Sequence, residues 1–396
     1  MKQLMAFLLA ALTAMTVTAN DGTYYTSGNQ LVPLQETQIS IKKEILTISL
    51  RDNGYADIDV YYEFYNPGAV ARDVRMGFEA DPPYNDSYEF YPNGVHPYIE
   101  NFTVEMNGQK IQHQNAVASD KEDKTCLLDL NEWTYDADEG MGMSLKNKKN
   151  GEVVDYSYVY YFDAHFKPGI NVVHHTYSYS LSVIVGISWE LQYKLSPAAR
   201  WANKQIDDFT LIVKAENTAK HFVIQKNTFG FNNKFQRKSG NVKMRTLPNK
   251  YSTDMEQWEI AMRNASIEMH LNNFVPNAEK ELNITSADSY YCFGAIDDKC
   301  HFGGFYDRST ASFVYMAETI DNDNIVPSDK AFRQRICRNL PFASRGHVFK
   351  DAKLKKFFES QFWYMPDPNY KDDTSDFTKA DKQVMKHIIG KFDNND

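Results

Sequence analysis

The sequence lacks the charge balance and the motifs that identify several common function classes. Its 43 Lys and Arg residues are outnumbered by 52 Asp and Glu residues, which gives a formal net charge of −9. Because nucleic-acid binding requires a positive surface opposite the phosphates, this balance excludes a nucleic-acid partner. The sequence contains no G-x-S-x-G turn, no H-E-x-x-H pair and no glycine-rich phosphate loop. These absences predict a protein that is not an enzyme and needs no cofactor.

Long apolar runs are also missing beyond the N-terminus, which argues against a transmembrane helix. At the N-terminus, Lys2 precedes an apolar run from Leu4 to Val17, and small residues follow. This order is typical of a secretory signal peptide with cleavage after Ala19. We therefore expect residues 1–19 to be removed and the rest of the chain to be exported.

Cysteine is scarce, and its four positions are Cys126, Cys292, Cys300 and Cys337. Cys292 and Cys300 lie eight residues apart, a spacing that can close a hairpin by a disulfide outside the cytoplasm. The other interpretation is four unpaired small hydrophobic side chains, and the sequence does not choose between the two.

Aromatic residues are abundant, at 14%, and an alternating pattern dominates from about residue 31 to about residue 271. Ile58, Val60, Tyr62 and Phe64 alternate with polar neighbours, as in an antiparallel strand with one buried face. Asn107-Gly108 predicts a hairpin turn. Further strands are predicted at Val154–Phe162, Val173–Val185, Ser188–Leu195, Phe209–Ala215, Phe222–Gln225 and Trp258–Leu271. The fold class is therefore mainly β, with one large antiparallel β-sandwich over residues 20–285, or two that divide near residue 150.

Two segments of this region lack a clear period. Ala118–Gly151 is rich in charge and glycine, and we expect a long exposed excursion between strands. Arg200–Asp208 has helical spacing and predicts a short helix.

Near residue 328 the spacing of apolar residues changes from the alternation of a strand to the three-to-four-residue spacing of a helix. This change predicts a three-helix module over residues 328–396. Ser328 can cap a helix whose apolar stripe is Phe332, Ile336 and Leu340. Asp351 can cap a second helix, and Thr378 with Asp381 resembles a capping box before a third. Residues 286–327, with the Cys292 and Cys300 pair, form the predicted connector.

The C-terminal sequence resembles the YARHG domain over about residues 328–392. The resemblance rests on Arg338, Asn339, Phe342, Ala343, Gly346, Phe349 and Trp363, together with Phe357-Phe358 and Tyr364. The five letters that name the family read Phe342, Ala343, Ser344, Arg345 and Gly346 here. YARHG domains occur in exported bacterial proteins and their molecular function is unknown, so the resemblance implies export and a domain boundary but no reaction. The β region is similar to the N-terminal part of uncharacterised exported bacterial proteins, through GNQLVPLQET, YYEFYNPG and HPYIENFTVEMNG.

Arg345 and His347 fall on the predicted turn between the first two helices, where exposed polar residues more often bind than pack. With Tyr364 they form the candidate interaction surface. Trp363 is expected in the core of the small module, whereas Tyr364 can serve either as core or as a ligand platform.

Other candidate sites are outweighed by plainer interpretations. His165, His174, His175 and His301 could contribute to a metal site, but zinc needs about four converging ligands, and adjacent strand residues face opposite ways. The acidic runs Asp136–Gly140 and Asp321–Asn324 lack calcium-loop spacing. Cys337 with His347 could act as nucleophile and base, yet Cys337 lies beside the apolar stripe and is expected to be buried. We therefore predict no metal and no catalytic residue.

The sequence favours an exported, non-enzymatic binding or scaffolding protein of the bacterial cell envelope, periplasmic or extracellular, with an envelope protein or a glycan as partner. The alternative is an envelope hydrolase for peptidoglycan or another glycan, with carboxylates of the Ala118–Gly151 excursion as acid and base. Two carboxyl groups facing each other across a cleft would distinguish the second hypothesis.

Overall fold

The structure is a computed structural model. It describes residues 27–29, 31–33, 37–82, 94–121, 124–135, 144–184, 187–248, 252, 255–287 and 329–386. The predicted signal peptide, the Cys292 and Cys300 pair, His301 and nearly all of the predicted connector lie outside these residues.

The described strands are β1 (Ser27–Asn29), β2 (Leu31–Pro33), β3 (Ser40–Leu50), β4 (Tyr55–Asn66), β5 (Arg72–Ala80), β6 (Ile99–Met106), β7 (Gln109–Ile111), β8 (Gln114–Lys121), β9 (Lys124–Leu127), β10 (Trp133–Tyr135), β11 (Ser144–Asn147), β12 (Val153–Asp155), β13 (Ser157–Phe166), β14 (Gly169–Ser180), β15 (Ser182–Ile184), β16 (Ile187–Lys194), β17 (Ile206–Ala215), β18 (Lys220–Gln225), β19 (Gln236–Leu247), β20 (Gln257–Phe274) and β21 (Leu282–Ser286). The α-helices are α1 (Lys330–Ser344), α2 (Ala352–Glu359) and α3 (Lys379–Lys386). None of the described helices is both long and apolar enough to cross a membrane.

The strands form a large sheet in the order β1-β16-β21-β18-β20-β17-β3-β4-β14-β6-β7 and a second sheet in the order β2-β5-β13-β8-β9. The mainly β prediction is confirmed, and Asn107-Gly108 does join β6 to β7 as a hairpin. The large sheet is mixed, however, because β17 pairs parallel to β3 and β1 parallel to β16. A parallel pair needs a long crossover, and the chain between β3 and β17 builds much of both sheets before it returns.

The two sheets pack face to face around aromatic side chains. The rings of Phe78 in β5 and Tyr177 in β14 lie 4.6 Å apart between centroids, and Phe64 in β4 meets Phe166 in β13 edge to face at 5.7 Å. One cluster of buried apolar side chains extends from Ile39 to Ile284. Since burial of apolar area is the main stabilising contribution to folding, the alternation seen in the sequence accounts for this core.

Strand β20 belongs to two parts of the large sheet. Its first half pairs with β18 and its second half with β17. Between the two halves, Asn264 adopts a positive φ of 46°. Gly240 in β19 lies against this bend, where a Cβ atom would stand 1.8 Å from the Asn264 carbonyl oxygen. Only glycine fits there, and the pairing of β19 with β20 shifts register on both sides of Ser239.

The helices begin close to the predicted residues. Asp329, one residue after Ser328, caps α1, and Asp351 caps α2. Thr378 and Asp381 bond reciprocally at 3.0 Å, as a capping box does. The stripe on α1 is confirmed, because Ile336 and Leu340 are buried.

Two predictions of local structure are wrong. Arg200–Asp208 is not a helix. A short 3-10 helix covers Ser196–Arg200, and β17 already begins at Ile206. The strand places Ile206 and Phe209 in the core, where both side chains are fully buried. The Ala118–Gly151 excursion contains strands β9, β10 and β11. It is not wholly exposed, since Trp133 and Leu145 pack into the main core.

His175 is a titratable group in the centre of the sandwich. It is fully buried, its ring stacks on Tyr177 at 5.9 Å, and neither ring nitrogen has a hydrogen-bond partner among the described residues. Burial, with a smaller contribution from His174, lowers the pKa of His175 to about 3. The side chain is therefore neutral in the folded protein across the physiological range.

This burial predicts acid sensitivity. In the unfolded state the His175 ring is protonated below about pH 6.5, whereas in the folded state it stays neutral down to about pH 3. The contribution of His175 to the free energy of unfolding is therefore fully present above pH 6.5 and is lost as the pH decreases toward 3. Between pH 7.5 and 4.5, His175→Leu should lose about 2–3 kcal/mol less unfolding free energy than the wild type in urea titrations. His174→Leu removes a half-exposed neighbour on the other sheet face that contributes less than burial to this pKa; it is the control and should keep most of the wild-type pH dependence. An unchanged dependence in His175→Leu would refute the assignment.

Candidate functional site

The longest stretch of this acidic chain without an acidic residue surrounds strand β19. Residues 217–253 contain eight Lys and Arg residues and no Asp or Glu. Four of the eight, Arg237, Lys238, Lys243 and Arg245, lie in β19 itself. A local positive potential on a negatively charged protein favours an anionic ligand.

A cleft of about 270 Å³ opens beside the C-terminal half of β19. Its lining residues share an aromatic or cationic character, and they are Lys226, Phe231, Asn233, Lys234, Phe235, Met244, Arg245, Thr246 and Trp258. The rings of Trp258 and Phe235 are almost buried and meet edge to face at 5.3 Å. Phe231 and Met244 are 39% and 38% exposed, so the cleft offers large apolar surfaces to solvent.

The loop after β18 shapes this cleft. A 3-10 turn at Lys226–Thr228 ends the strand, and Gly230 follows with a positive φ of 85°. The Asn233 side chain then donates to the Phe229 carbonyl oxygen at 2.5 Å and closes the loop. As a result the Lys226 ammonium lies 5.8 Å from the centre of the Phe231 ring.

The cations of the cleft differ in their pairing. Lys226 binds Glu256 at 3.1 Å, and Arg245 binds the buried carboxylate of Glu259. Lys234 is exposed and has no ion-pair partner within the described part of the chain. A ligand carboxylate or phosphate can therefore approach Lys234 without displacing a carboxylate of the described residues.

The opposite face of β19 and β20 carries a buried polar group. Glu259 accepts from Arg245 and contacts His221 Nε2 at 2.8 Å. Burial alone would raise the pKa of Glu259, but the bonds and charges of His221 and Arg245 outweigh it and lower the pKa. The Arg245 guanidinium also lies 4.7 Å from the Phe362 ring of the helical module. A carboxylate fixed in its charged form is suited to holding cations and unsuited to acid catalysis.

Arg263 joins the helical module to the sheet. Its guanidinium, buried on β20, donates to the carbonyl oxygens of Arg345 at 2.6 Å and Met365 at 3.1 Å. Gly346 lies against it with φ +96°, and a Cβ there would stand 2.6 Å from Arg263 Nη2. Lys243 donates to the Tyr364 carbonyl oxygen at 2.7 Å and completes this contact.

The structure corrects the predicted exposure of Arg345. Only 3% of its side chain is exposed, and it binds Asp381 at 2.7 Å and Asp376 at 3.0 Å. Its guanidinium also stacks on Phe377 at 4.5 Å. Arg345 follows a helix end, as expected, but α3 folds back over that turn and covers it. It therefore holds α1 to α3 and cannot belong to an exposed surface.

The other two candidate residues are also engaged within the module. The Tyr364 hydroxyl donates to the His347 carbonyl oxygen at 2.6 Å, and Tyr364 is buried. His347 Nδ1 contacts Asp372 at 2.5 Å, and its ring is half-buried. The structure thus brings Arg345, His347 and Tyr364 into one module but does not expose them together.

Most of the remaining motif residues form the core of the module. Trp363, Phe349 and Ala343 are buried, as predicted for Trp363, and Gly346 lies at the contact with Arg263. Phe342 is half-buried against Phe377 at 4.9 Å. Arg338 is exposed, and Asn339 donates to the Arg335 carbonyl oxygen at 2.7 Å.

The histidine and cysteine candidates lie apart from the cleft. His165 pairs with Asp73 and His174 with Asp59, on exposed strand faces. Cys337 is buried with a free thiol, as expected, and Cys126 lies in β9. Within the described residues, no three His, Cys, Asp or Glu side chains group as metal ligands. Glu122, Asp123 and Asp136–Gly140, which include acids proposed for the hydrolase, lie outside those residues.

Comparison with known families addresses both ends of the chain. The model of the YARHG domain matches residues 328–390. Residues 328–390 form a YARHG domain. The model of a domain of unknown function, DUF4424, matches residues 19–148, in agreement with the expected similarity to uncharacterised proteins. No curated protein matches the chain.

Solved structures show only distant similarity. A candidate nutrient-binding protein of Legionella pneumophila aligns over 93% of this chain and 98% of its own, with 16% identity and a TM-score of 0.47. An M1 zinc metallopeptidase of Deinococcus radiodurans aligns over 64% and 43%, with 9% identity and a TM-score of 0.26. Baculovirus P35 aligns over 64% and 98%, with 11% identity and a TM-score of 0.24. These scores support no inference about function.

The pairing inside the YARHG domain predicts a large effect of one arginine. Arg345→Ala leaves the buried Asp381 carboxylate without its cation and should lower the unfolding free energy of the domain by about 3–5 kcal/mol. Arg335→Ala breaks an exposed pair with Asp351, 2.9 Å apart, and should lower the unfolding free energy far less, because solvent screens that pair. Urea unfolding followed by tryptophan fluorescence measures both, and equal effects would contradict a structural role of Arg345.

Proposed function

We propose that this chain is an exported bacterial binding protein whose ligand site is the cleft beside β19. The N-terminal sequence and the YARHG domain support export to the cell envelope. The observation that carries the binding site is Lys234, a cation at the rim of a cleft with an aromatic floor and without an ion-pair partner among the described residues. The ligand is anionic and carries a flat or apolar group.

The apolar side chains and the cation of the cleft contribute to ligand binding in different ways. The exposed surfaces of Phe231 and Met244 gain free energy when an apolar group of the ligand covers them. Lys234 attracts the negative charge and orients the ligand, and its contribution weakens with salt because the site is open. The YARHG domain supports the site from the other side through Arg245, which contacts both Phe362 and Glu259.

A charge reversal at the rim tests this proposal. The probe is a fluorescein-labelled acidic peptide of glutamate and valine with a central phenylalanine, and oligogalacturonate serves as a glycan probe. Lys234→Glu should weaken binding of the preferred probe about tenfold, which corresponds to about 1.4 kcal/mol. Phe231→Ala should weaken it about fivefold, because part of the apolar contact is lost.

The matched control is Lys110→Glu, an exposed lysine on strand β7 at the far edge of the same sheet. It makes the same change in net charge and should leave the affinity within about twofold of the wild type. The proposal fails if neither probe binds the wild-type protein, or if Lys110→Glu and Lys234→Glu weaken binding equally.

A further inference from the structure

Strand β19 has a long backbone edge that pairs with nothing in the described part of the chain. The strand contains 12 residues and, among the described strands, pairs with β20 alone. Its first half is interrupted by the register shifts around Ser239 and Gly240. From Asn241 to Leu247 the pairing with β20 is regular, so this half presents an even row of backbone N–H and C=O groups outward.

The side chains of Asn241–Leu247 face two different environments, the cleft and the YARHG domain. Met244 and Thr246 line the cleft, whereas Lys243 contacts the YARHG domain at Tyr364; Arg245 contacts Phe362 of that domain and also reaches the cleft wall. Successive residues of a strand face opposite ways, so this division follows from the strand itself. A strand added at this edge would place alternate side chains over the cleft and beside the YARHG domain.

The positive charge of β19 indicates which kind of polypeptide can pair with its edge. The strand carries four basic residues and no acidic one. Pairing with the same strand of a second copy would bring like charges together, which disfavours self-association. An acidic segment has the opposite charge, and Lys234 stands beside the same edge without an ion-pair partner in the described residues.

We infer that the cleft and the Asn241–Leu247 edge form one site, which binds an acidic polypeptide segment as an added β-strand. Backbone hydrogen bonds to β19 hold the segment in an extended conformation, and one apolar side chain enters the cleft over Trp258 and Phe231. Acidic side chains on the segment pair with Lys234, and the positive potential of β19 attracts the segment, although Lys238, Lys243 and Arg245 already bind groups of the protein. This inference rests on the proposed function and specifies its ligand.

Three probes distinguish strand addition from attraction by charge alone. The first is the acidic peptide with a central phenylalanine described above. The second is the same peptide with alternate amides N-methylated, which keeps the charge and the phenylalanine but removes backbone donors. The third is oligogalacturonate, which is anionic and has no peptide backbone. Fluorescence anisotropy with the full chain gives the affinities, and hydrogen exchange of the Asn241–Leu247 amides reports pairing of the edge.

Strand addition predicts that N-methylation weakens binding by at least about tenfold, since several backbone hydrogen bonds are lost together. Oligogalacturonate should bind at least about tenfold more weakly than the peptide. The outward amides of Asn241–Leu247 should exchange rapidly in the free protein and slow at least about tenfold when the peptide is bound. Lys110→Glu should change none of these ratios.

Other outcomes overturn the inference and separate it from the proposed function. If all three probes bind alike and Lys234→Glu weakens each, the cleft binds anions and strand addition is wrong. Edge amides that are already protected in the free protein would show that the chain itself occupies the edge. Absence of binding by every probe would refute both the inference and the proposed function.

Discussion

The position of the YARHG domain depends on one buried arginine that binds main-chain oxygens. A guanidinium removed from water is costly unless its donors find acceptors, and Arg263 donates Nη1 and Nη2 to the carbonyl groups of Arg345 and Met365, while its buried Nε has no partner among the described residues. Gly346 makes this approach geometrically possible, since any side chain there would collide with the guanidinium. The bend of β20 at Asn264, directly beside Arg263, sets the point from which the arginine reaches across.

A single carboxylate extends this contact to the cleft. Glu259 holds His221 from β18 and Arg245 from β19, so it ties together the three adjacent strands on which the YARHG domain rests. Arg245 in turn touches Phe362 and forms part of the cleft wall. The shape of the cleft on one face of the strands is thus coupled to the seating of the domain on the other.

The sequence was informative where one physical rule dominates. Alternation of apolar residues predicted the strands, and capping side chains located α1, α2 and α3, because both depend on neighbours in the chain. The parallel pairing of β3 with β17 could not be predicted, since it is set by how sheets close around the core. The burial of Arg345 was not predicted for the same reason: its partners come from later in the chain, Asp376 from the loop before α3 and Asp381 from α3 itself. The site was missed because most of β19 is polar, and Val242 and Met244 alternate with charged residues over too few positions to predict a strand. The absence of acidic residues over 217–253 would have indicated it.

Recognition through main-chain oxygens also bears on how this pair of domains can diverge. Arg263 contacts backbone carbonyl groups, which every amino acid has. This contact therefore depends on the backbone path of the turn around Gly346 and not on the side chains of that turn. Three of the five letters that name the family differ here, at Phe342, Ser344 and Arg345, yet the turn still packs against Arg263. A surface of this kind can accept a related domain by recombination without matching substitutions on both partners, provided that the glycine is retained.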